Sequence, residues 1–298
     1  MEIKKLEAVT VCVDYSDFLA VTLPHNLKHF DNYVVVTSYE DKETQDLCHH
    51  YGVECRPTNL MYIKSSTEHH KFAKGRAVDF GLAYLGRTDW TLHLDADTWL
   101  PDNTRAWLNF ANLDNECIYG IDRYSCDSYE DWQKFQHQRY TQHLRHCLVI
   151  PPPFSMGARI AIKEYNGYIP IGFFQLWNAQ KFPQRRYPLN NSGAEHTDVL
   201  HSLQWPDDKR RLLPELLCIH LSSEKSRMGA NWHGRTTKQF GPFNPFWIRE
   251  GLKSPLQTKS MAVPTTTPAT TGTGSNNPDV NINVDVDAYF YGNSIYYI

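Results

Sequence analysis

The stretch DWTLHLDADTWLP, residues 89–101, decides how the rest of the chain is interpreted. Its first half is an apolar run typical of a buried strand, and two carboxylates one residue apart, Asp95 and Asp97, follow that run. In an extended backbone, residues i and i+2 project to the same side, so both carboxylates face one point at a strand end. Paired carboxylate oxygens suit Mg²⁺ or Mn²⁺ that carries the phosphates of a nucleotide. The stretch therefore predicts a metal-assisted phosphate site at the edge of a sheet.

Strand and helix patterns alternate on both sides of this stretch. Such alternation predicts an α/β fold with a mostly parallel sheet flanked by helices. Ligands bind these sheets at the carboxyl ends of the strands, and Asp14 and Asp95 both follow predicted strands at that edge. The predicted strands are 8–13, 33–37, 53–55, 90–94, 171–177 and 216–221, and the predicted helices are 18–30 with a kink or break at Pro24, 40–51, 72–85, 128–147 and 194–203.

Length and composition predict one large domain with an extension. The 298 residues are 41% hydrophobic, enough for a sizeable core, and the net charge of −3 excludes a global attraction to nucleic acid or anionic membrane. We predict a domain over 1–253, with a nucleotide-binding half at 1–101 and an acceptor half at 102–253. Residues 254–278 are rich in Thr, Pro, Gly, Ser and Asn, which is typical of a disordered linker, and 279–298 form a short strand-like tail.

The cysteines and the N-terminus indicate the compartment. The seven cysteines are scattered and show no CxxC spacing, which favours free thiols in a reducing compartment. The N-terminus lacks the uninterrupted apolar core of a signal peptide, and no run approaches the roughly 20 apolar residues that span a bilayer. We therefore expect a cytoplasmic protein without a transmembrane segment.

A second motif, KGRAVDFGL at 74–82, begins the helix that precedes the acidic strand. Lys74 and Arg76 lie in its first turn, where free backbone amides and cationic side chains together suit a diphosphate. An ordinary solvated helix start is the alternative interpretation.

The chain has a first strand that ends in a polar turn, then a Lys-Gly-Arg-Ala helix, and then a strand that ends in Asp-Ala-Asp. In this order of features it resembles the GT-A glycosyltransferases, the nucleotide-diphospho-sugar transferase superfamily. The resemblance is firm over 8–101, looser to 238, and does not cover the tail. It implies that Asp95 and Asp97 hold a divalent metal, usually Mn²⁺, that neutralises the donor diphosphate. It also implies a donor site in which Val13, Asp14 and Tyr15 flank the nucleoside while Lys74 and Arg76 lie near ribose or phosphate.

The same resemblance implies roles for later residues. An acidic residue near the acceptor hydroxyl corresponds to Asp198 or Glu195, as base or orienting group, although a helix-capping acid is an equal alternative. A base at Asp198 would favour single displacement with inversion. His220 matches a third metal ligand by position. A loop that closes over the donor would include Trp232 and Arg235, and the strand around Gln175 would line the donor or acceptor pocket, unless it is only a buried strand.

These features predict a hexosyl- or pentosyltransferase that moves a sugar from a nucleoside-diphosphate sugar to a hydroxyl acceptor. The acceptor is a glycan or, as in some small soluble phage enzymes, a hydroxylated base in DNA; the basic run at 209–211 keeps the second reading open. One alternative is a sugar-1-phosphate nucleotidyltransferase, disfavoured because residues 14–17 replace the Gly-rich loop of those enzymes. The other is a non-catalytic sugar-nucleotide-binding module, with the tail as a docking segment for a partner.

Overall fold

The computed structural model describes residues 3–63, 71–142, 155–156, 161–162, 167–189, 197–222 and 239–240. These residues belong to one compact unit, Met1–Asn244. The predicted linker and tail at 254–298 lie outside the described residues, so those two predictions stay predictions. Within the described ranges, no helix is long and apolar enough to cross a membrane.

Strands and helices alternate along the described chain, as the sequence predicts. The strands are β1 (Leu6–Val11), β2 (Asn32–Thr37), β3 (Glu54–Pro57), β4 (Tyr62–Ile63), β5 (Lys71–Phe72), β6 (Trp90–Leu94), β7 (Thr98–Trp99), β8 (Ile118–Cys126), β9 (Ser155–Met156), β10 (Ala161–Ile162), β11 (Gly167–Tyr168), β12 (Phe174–Asn178) and β13 (Arg210–Leu221). The α-helices are α1 (Ser16–Asn26), α2 (Lys42–His50), α3 (Lys74–Leu82), α4 (Thr104–Phe110), α5 (Tyr129–Gln142) and α6 (Thr197–Ser202).

One large mixed sheet organises these elements, in the order β3-β2-β1-β6-β12-β8-β13-β7, with β9 beside β8. Strands β3, β2, β1 and β6 pair in parallel, and so do β8 and β13. Strand β12 runs antiparallel to both of its neighbours, β6 and β8, so those two strands share one direction. The predicted α/β fold with a mostly parallel sheet flanked by helices is confirmed.

Helix α3 lies directly on the sheet because Gly81 lets it approach. A Cβ atom at Gly81 would come within 2.5 Å of Val9 Cγ2 and 2.6 Å of Val36 Cγ2. Those valines belong to the fully buried cores of β1 and β2. The close contact positions the first residue of α3, Lys74, at the carboxyl edge of the parallel strands.

The turn after β1 is held by the start of α2. Asp41 caps this helix, because its Oδ1 accepts a hydrogen bond from Thr44 N at 3.0 Å. Its Oδ2 accepts another from Asp14 N at 2.8 Å, in a turn where Asp14 has a φ of 58°. Pro24 lies inside α1, which gives way to a 3-10 turn at Leu27–His29.

Two differences from the sequence-based expectation concern the second half of the sheet. Strand β8 was not predicted, since its sequence IYGIDRYSC mixes apolar and charged residues without regular alternation. Strand β13 begins at Arg210 rather than Leu216, and its pairing with β8 shifts register between Leu213 and Leu217. An irregularity of this kind interrupts the two-residue period, which explains why only the last part of the strand was predicted.

Candidate functional site

A buried ion cluster lies at the carboxyl edge of β6. Lys74 Nζ is 2.7 Å from Asp95 Oδ1 and 3.3 Å from Asp198 Oδ2, and the Lys74 side chain is only 12% exposed. Burial alone would lower the pKa of Lys74, but the carboxylates of Asp198 and Asp95 outweigh it and raise that pKa above its ordinary value. Conversely, burial alone would raise the pKa of Asp95, but Lys74 and then His93 hold it well below its usual range. The site therefore contains a permanent ammonium between two carboxylates.

A glycine makes room for this cluster. A Cβ atom at Gly172 would overlap the Asp198 carboxylate and lie 2.5 Å from Lys74 Nζ. Gly172 lies shortly before β12, in the segment that leads into this strand. The absence of a side chain at this position is a condition for the ion pair between Lys74 and Asp198.

A chain of buried polar groups contacts both acidic residues of the cluster, Asp95 and Asp198. His93 is fully buried, with Nε2 3.5 Å from Asp95 Oδ1 and Nδ1 2.9 Å from the Tyr187 hydroxyl. Tyr187 donates a hydrogen bond to Gln175 Oε1, and Gln175 Nε2 donates to the Asp198 carbonyl oxygen at 2.9 Å. Because Gln175 is fully buried, it supports Asp198 from within the protein rather than facing a pocket. This chain joins the two carboxylates that Lys74 bridges.

A second pair, Asp97 and His220, lies at the same edge. Asp97 is 4% exposed, and its Oδ1 lies 3.6 Å from His220 Nε2. Burial, together with the charge of Asp95, raises the pKa of Asp97 to about 8. Burial, together with the charge of Arg123, lowers the pKa of His220 to about 3, so its ring is neutral at physiological pH. His220 reaches this point because β13 pairs with β7, in register His220 to Thr98.

The donor atoms of this pair fit a divalent cation. Among the described residues, Asp97 Oδ1 is buried and has no hydrogen-bond partner, which leaves a carboxylate oxygen that a cation would satisfy. A neutral imidazole beside it is a second ligand of the type that Mn²⁺ accepts. Asp95, which was predicted to hold the metal together with Asp97, is instead turned to Lys74. The described residues contain no group of three His, Cys, Asp or Glu side chains arranged to hold a metal.

The remaining predicted donor-site residues lie around the same edge. Val13 and Tyr15 are half-buried and Asp14 is exposed, all in the turn that follows β1. Arg76 is placed differently from Lys74, because its Nε donates to the Leu189 carbonyl oxygen at 2.7 Å. Three predicted site residues lie outside the described residues and stay predictions: Glu195, Trp232 and Arg235.

The structure adds three residues that sequence reasoning missed: His93, Tyr187 and Arg123. Arg123 lies on β8 with its guanidinium 4.5 Å from the centre of the Phe173 ring. The available signal was a charged or polar residue within an apolar run, as for His93 in WTLHL. Tyr187 carried no sequence signal, because it belongs to an irregular segment.

The predicted basic run at 209–211 does not form a continuous basic face within the described part of the chain. Lys209 pairs with Asp114 at 3.3 Å and with Glu116 at 3.1 Å, and Arg211 pairs with Asp114 at 3.6 Å. Arg210 is 7% exposed and donates to the Trp205 carbonyl oxygen at 3.1 Å. These charges are balanced locally, which removes the main structural feature expected of a DNA-binding surface here.

Comparisons with known proteins concern the fold. No protein-family model and no curated protein matches the sequence. Among solved structures, glucosyl-3-phosphoglycerate synthase from Mycobacterium tuberculosis in complex with Mn²⁺, UDP and glucosyl-3-phosphoglycerate is 9% identical, with 76% of this chain and 75% of that chain covered and a TM-score of 0.44. Mannosyl-3-phosphoglycerate synthase from Rubrobacter xylanophilus is 19% identical, with 40% of each chain covered and a TM-score of 0.31. The 4-diphosphocytidyl-2C-methyl-D-erythritol synthase from Anaerococcus prevotii is 12% identical, with 71% and 89% covered and a TM-score of 0.36.

Glucosyl- and mannosyl-3-phosphoglycerate synthases are thus among the solved structures similar to this chain. At these identities and TM-scores the likeness carries no argument about the function of this chain. The case for function rests on the side chains described above.

Proposed function

We propose that this protein is a metal-dependent glycosyltransferase that moves a sugar from a nucleoside-diphosphate sugar to a hydroxyl acceptor. The observation that carries the proposal is the arrangement at the carboxyl edge of β6, where Lys74 joins Asp95 to Asp198 beside the Asp97–His220 pair. Cationic, acidic and metal-ligating groups thereby share the edge at which α/β sheets bind ligands. The GT-A resemblance of the sequence supports the same reading.

On the donor side, the chain supplies positive charge for a diphosphate. Lys74 remains protonated, and it is the first residue of α3, where the start of a helix favours an anion. Asp97 and His220 are the residues that would hold the divalent cation, with Asp95 adjacent. When bound, this ion neutralises charge on the departing diphosphate.

On the acceptor side, Asp198 is the group that handles the hydroxyl. Its Oδ2 is held by Lys74, whereas its Oδ1 has no hydrogen-bond partner among the described residues and faces His93 Nδ1 at 3.8 Å. Gln175 fixes the backbone carbonyl of the same residue. A carboxylate held in this way orients an acceptor hydroxyl and accepts its proton as the sugar is transferred. Glu195 stays a second candidate for this role.

The acceptor that fits best is a hydroxyl on a glycan or another small molecule. A DNA acceptor calls for a run of free basic side chains along the phosphate backbone. In the described part of the chain, the candidate run at 209–211 is paired with Asp114 and Glu116. A cytoplasmic location and a docking role for the tail remain predictions from the sequence.

Thermal melting of the full chain with nucleoside diphosphates and nucleotide sugars, with and without Mn²⁺, tests the donor site. Binding at a ligand concentration of 100 times Kd stabilises the native state by about 2.7 kcal/mol, so one nucleotide should give a clear Mn²⁺-dependent shift. Turnover assays with that donor then identify the leaving group. Release of a nucleoside diphosphate on transfer to an acceptor supports a glycosyltransferase, whereas formation of a nucleoside triphosphate and a sugar-1-phosphate after addition of pyrophosphate would identify a nucleotidyltransferase.

The variant that tests the metal role is Asp97→Asn. We expect it to abolish Mn²⁺-dependent turnover without lowering the melting temperature of the ligand-free protein, because it removes a buried carboxylate whose Oδ1 is unsatisfied. Asp102→Asn is the control, since Asp102 is an exposed carboxylate paired with Lys28. Full Mn²⁺-dependent activity in Asp97→Asn would refute the metal assignment.

A further inference from the structure

Arg123 is a cation within the site that has no carboxylate partner among the residues that the structure describes. Its Nε is buried and makes no hydrogen bond, and within the described residues no carboxylate oxygen lies within the 4.0 Å of an ion pair. The guanidinium instead stacks on the Phe173 ring at 4.5 Å. Lys74, by contrast, has two carboxylates, and Arg105 has Asp31 at 2.9 Å.

The positive charge of Arg123 is only partly compensated by its surroundings. Burial lowers the pKa of Arg123, which reflects the loss of hydration around the charge. The stacked Phe173 ring recovers a small part of the lost hydration free energy. The Nε–H bond lies in the plane of the guanidinium, so the face of the stacked ring does not accept its hydrogen bond. A buried charged group left without a partner is destabilising, and a ligand of opposite charge would complete the interaction.

The position of Arg123 connects it to the proposed site. On the β8–β13 ladder, Arg123 lies opposite Cys218 and Ser125 lies opposite His220, so Arg123 and His220 share one face of the sheet. The Phe173 ring that carries the guanidinium also meets the His220 ring edge-on, with centroids 6.2 Å apart. The charge of Arg123 acts on both Asp97 and His220.

We propose that Arg123 binds an oxyanion of a substrate, a carboxylate or a phosphate group, and thereby restricts the substrates that the enzyme accepts. The inference rests on the proposed function and deepens it. The planar guanidinium matches the two oxygens of a carboxylate or phosphate and binds them through paired N–H donors. Two sources supply such a group: the diphosphate of the donor, or an acidic group on the acceptor.

The test compares Arg123→Met with a matched control, Arg185→Met, by isothermal titration calorimetry. Arg185 also stacks on aromatic rings, those of Phe182 and Trp205, and also has a buried Nε without a hydrogen bond among the described residues. Methionine keeps the apolar stem in both variants. The probes are Mn²⁺ alone, Mn²⁺ with inorganic pyrophosphate, methyl phosphate, and acetate.

We expect Arg123→Met to weaken binding of at least one anionic probe by about tenfold or more, because a charge-assisted pair is lost, while Arg185→Met binds like the wild type. A loss confined to Mn²⁺ with pyrophosphate assigns Arg123 to the donor diphosphate. A loss confined to methyl phosphate or acetate assigns it to an acidic acceptor. Unchanged affinities in Arg123→Met, or a wild-type protein that binds none of the anions, would overturn the proposal.

Three further readouts separate this inference from a structural role and from the proposed function. The ligand-free melting temperature of Arg123→Met should equal or exceed that of the wild type, whereas a lower value with unchanged anion binding would show a purely structural arginine. Arg123→Lys keeps the positive charge but lacks the paired N–H donors of the guanidinium, so it should recover part of the affinity for the anion. Mn²⁺ binding and Mn²⁺-dependent turnover of the wild type report on the proposed function independently of Arg123.

Discussion

The two halves of the molecule, residues 3–101 and 102–222, build the same site in different ways. In the donor-side half, β6 runs directly into Asp95 and α3 begins with Lys74, so local elements deliver both groups. In the acceptor-side half, Asp198 and His220 come from α6 and β13, separate elements that meet only through the sheet. The donor-side groups therefore depend on local patterns, whereas the acceptor-side groups depend on packing between distant segments.

Among the variants that test this comparison, the largest effect should come from a methyl group placed at Gly172. Gly172→Ala puts a Cβ atom on the Asp198 carboxylate and 2.5 Å from Lys74 Nζ, so the ion pair must move. Since a displacement of about 1 Å at a catalytic group can reduce rates about 100-fold, we expect a loss of turnover of that order. The matched change in the donor-side half is Gly86→Ala, whose Cβ would meet only the flexible end of Lys5 at 3.1 Å and the Glu7 carboxylate at 3.3 Å. Equal activity of the two variants would contradict the expected difference between these two sites.

A smaller effect should follow from cutting the buried chain that joins the halves. Tyr187→Phe removes the hydroxyl that contacts His93 and Gln175 and leaves these two side chains only the longer contact with each other, between His93 Nδ1 and Gln175 Oε1, at 3.4 Å. We expect turnover to fall about tenfold and the free energy of unfolding to fall by about 1–3 kcal/mol. Tyr119→Phe is the control, because its hydroxyl accepts a hydrogen bond from Asp114 N instead. A comparable loss of turnover in the control would show that any buried hydroxyl matters equally.

The smallest effect on activity should come from substituting His29, a residue of the donor-side half that is 2% exposed. Burial, then the charge of Lys28, lowers the pKa of His29 from its ordinary 6.5 to about 4. Between these values the unfolded chain binds a proton that the folded protein does not, so stability is lost as pH falls from 6.5 to 4, by at most about 3 kcal/mol. His29→Gln should lose less stability than the wild type over this range and retain its activity at pH 7.5.

Urea unfolding at several pH values measures this difference. The exposed His50 provides the control: His50→Gln should follow the wild-type pH dependence. If His29→Gln loses as much stability as the wild type between pH 6.5 and 4, the assignment of acid sensitivity to His29 is wrong.

Much of the first hundred residues could be predicted because each element carries its own signal. The valine-rich β2 and the apolar β6 are short buried runs, and Gly52, with a φ of 67°, ends α2 as its sequence position indicates. The second half carried weaker signals. Strand β8 contains Asp122 and Arg123, whose charges resemble those of a loop, and the register shift in β13 hides its first residues. Charged residues within these strands interrupt the apolar pattern by which a buried strand is predicted.

The sequence by itself determined the α/β architecture, the edge at which Asp95, Asp97 and Lys74 lie, and the kind of ligand that such groups attract, because periodicity and local charge act over a few residues. Only the tertiary structure decided which of these groups pair. Asp95 turns to Lys74, which also binds Asp198 across 124 positions of the chain, and Asp97 is the carboxylate that stands beside His220. Pairing of this kind depends on sub-ångström packing, such as the space left at Gly172, and that information resides in no single segment.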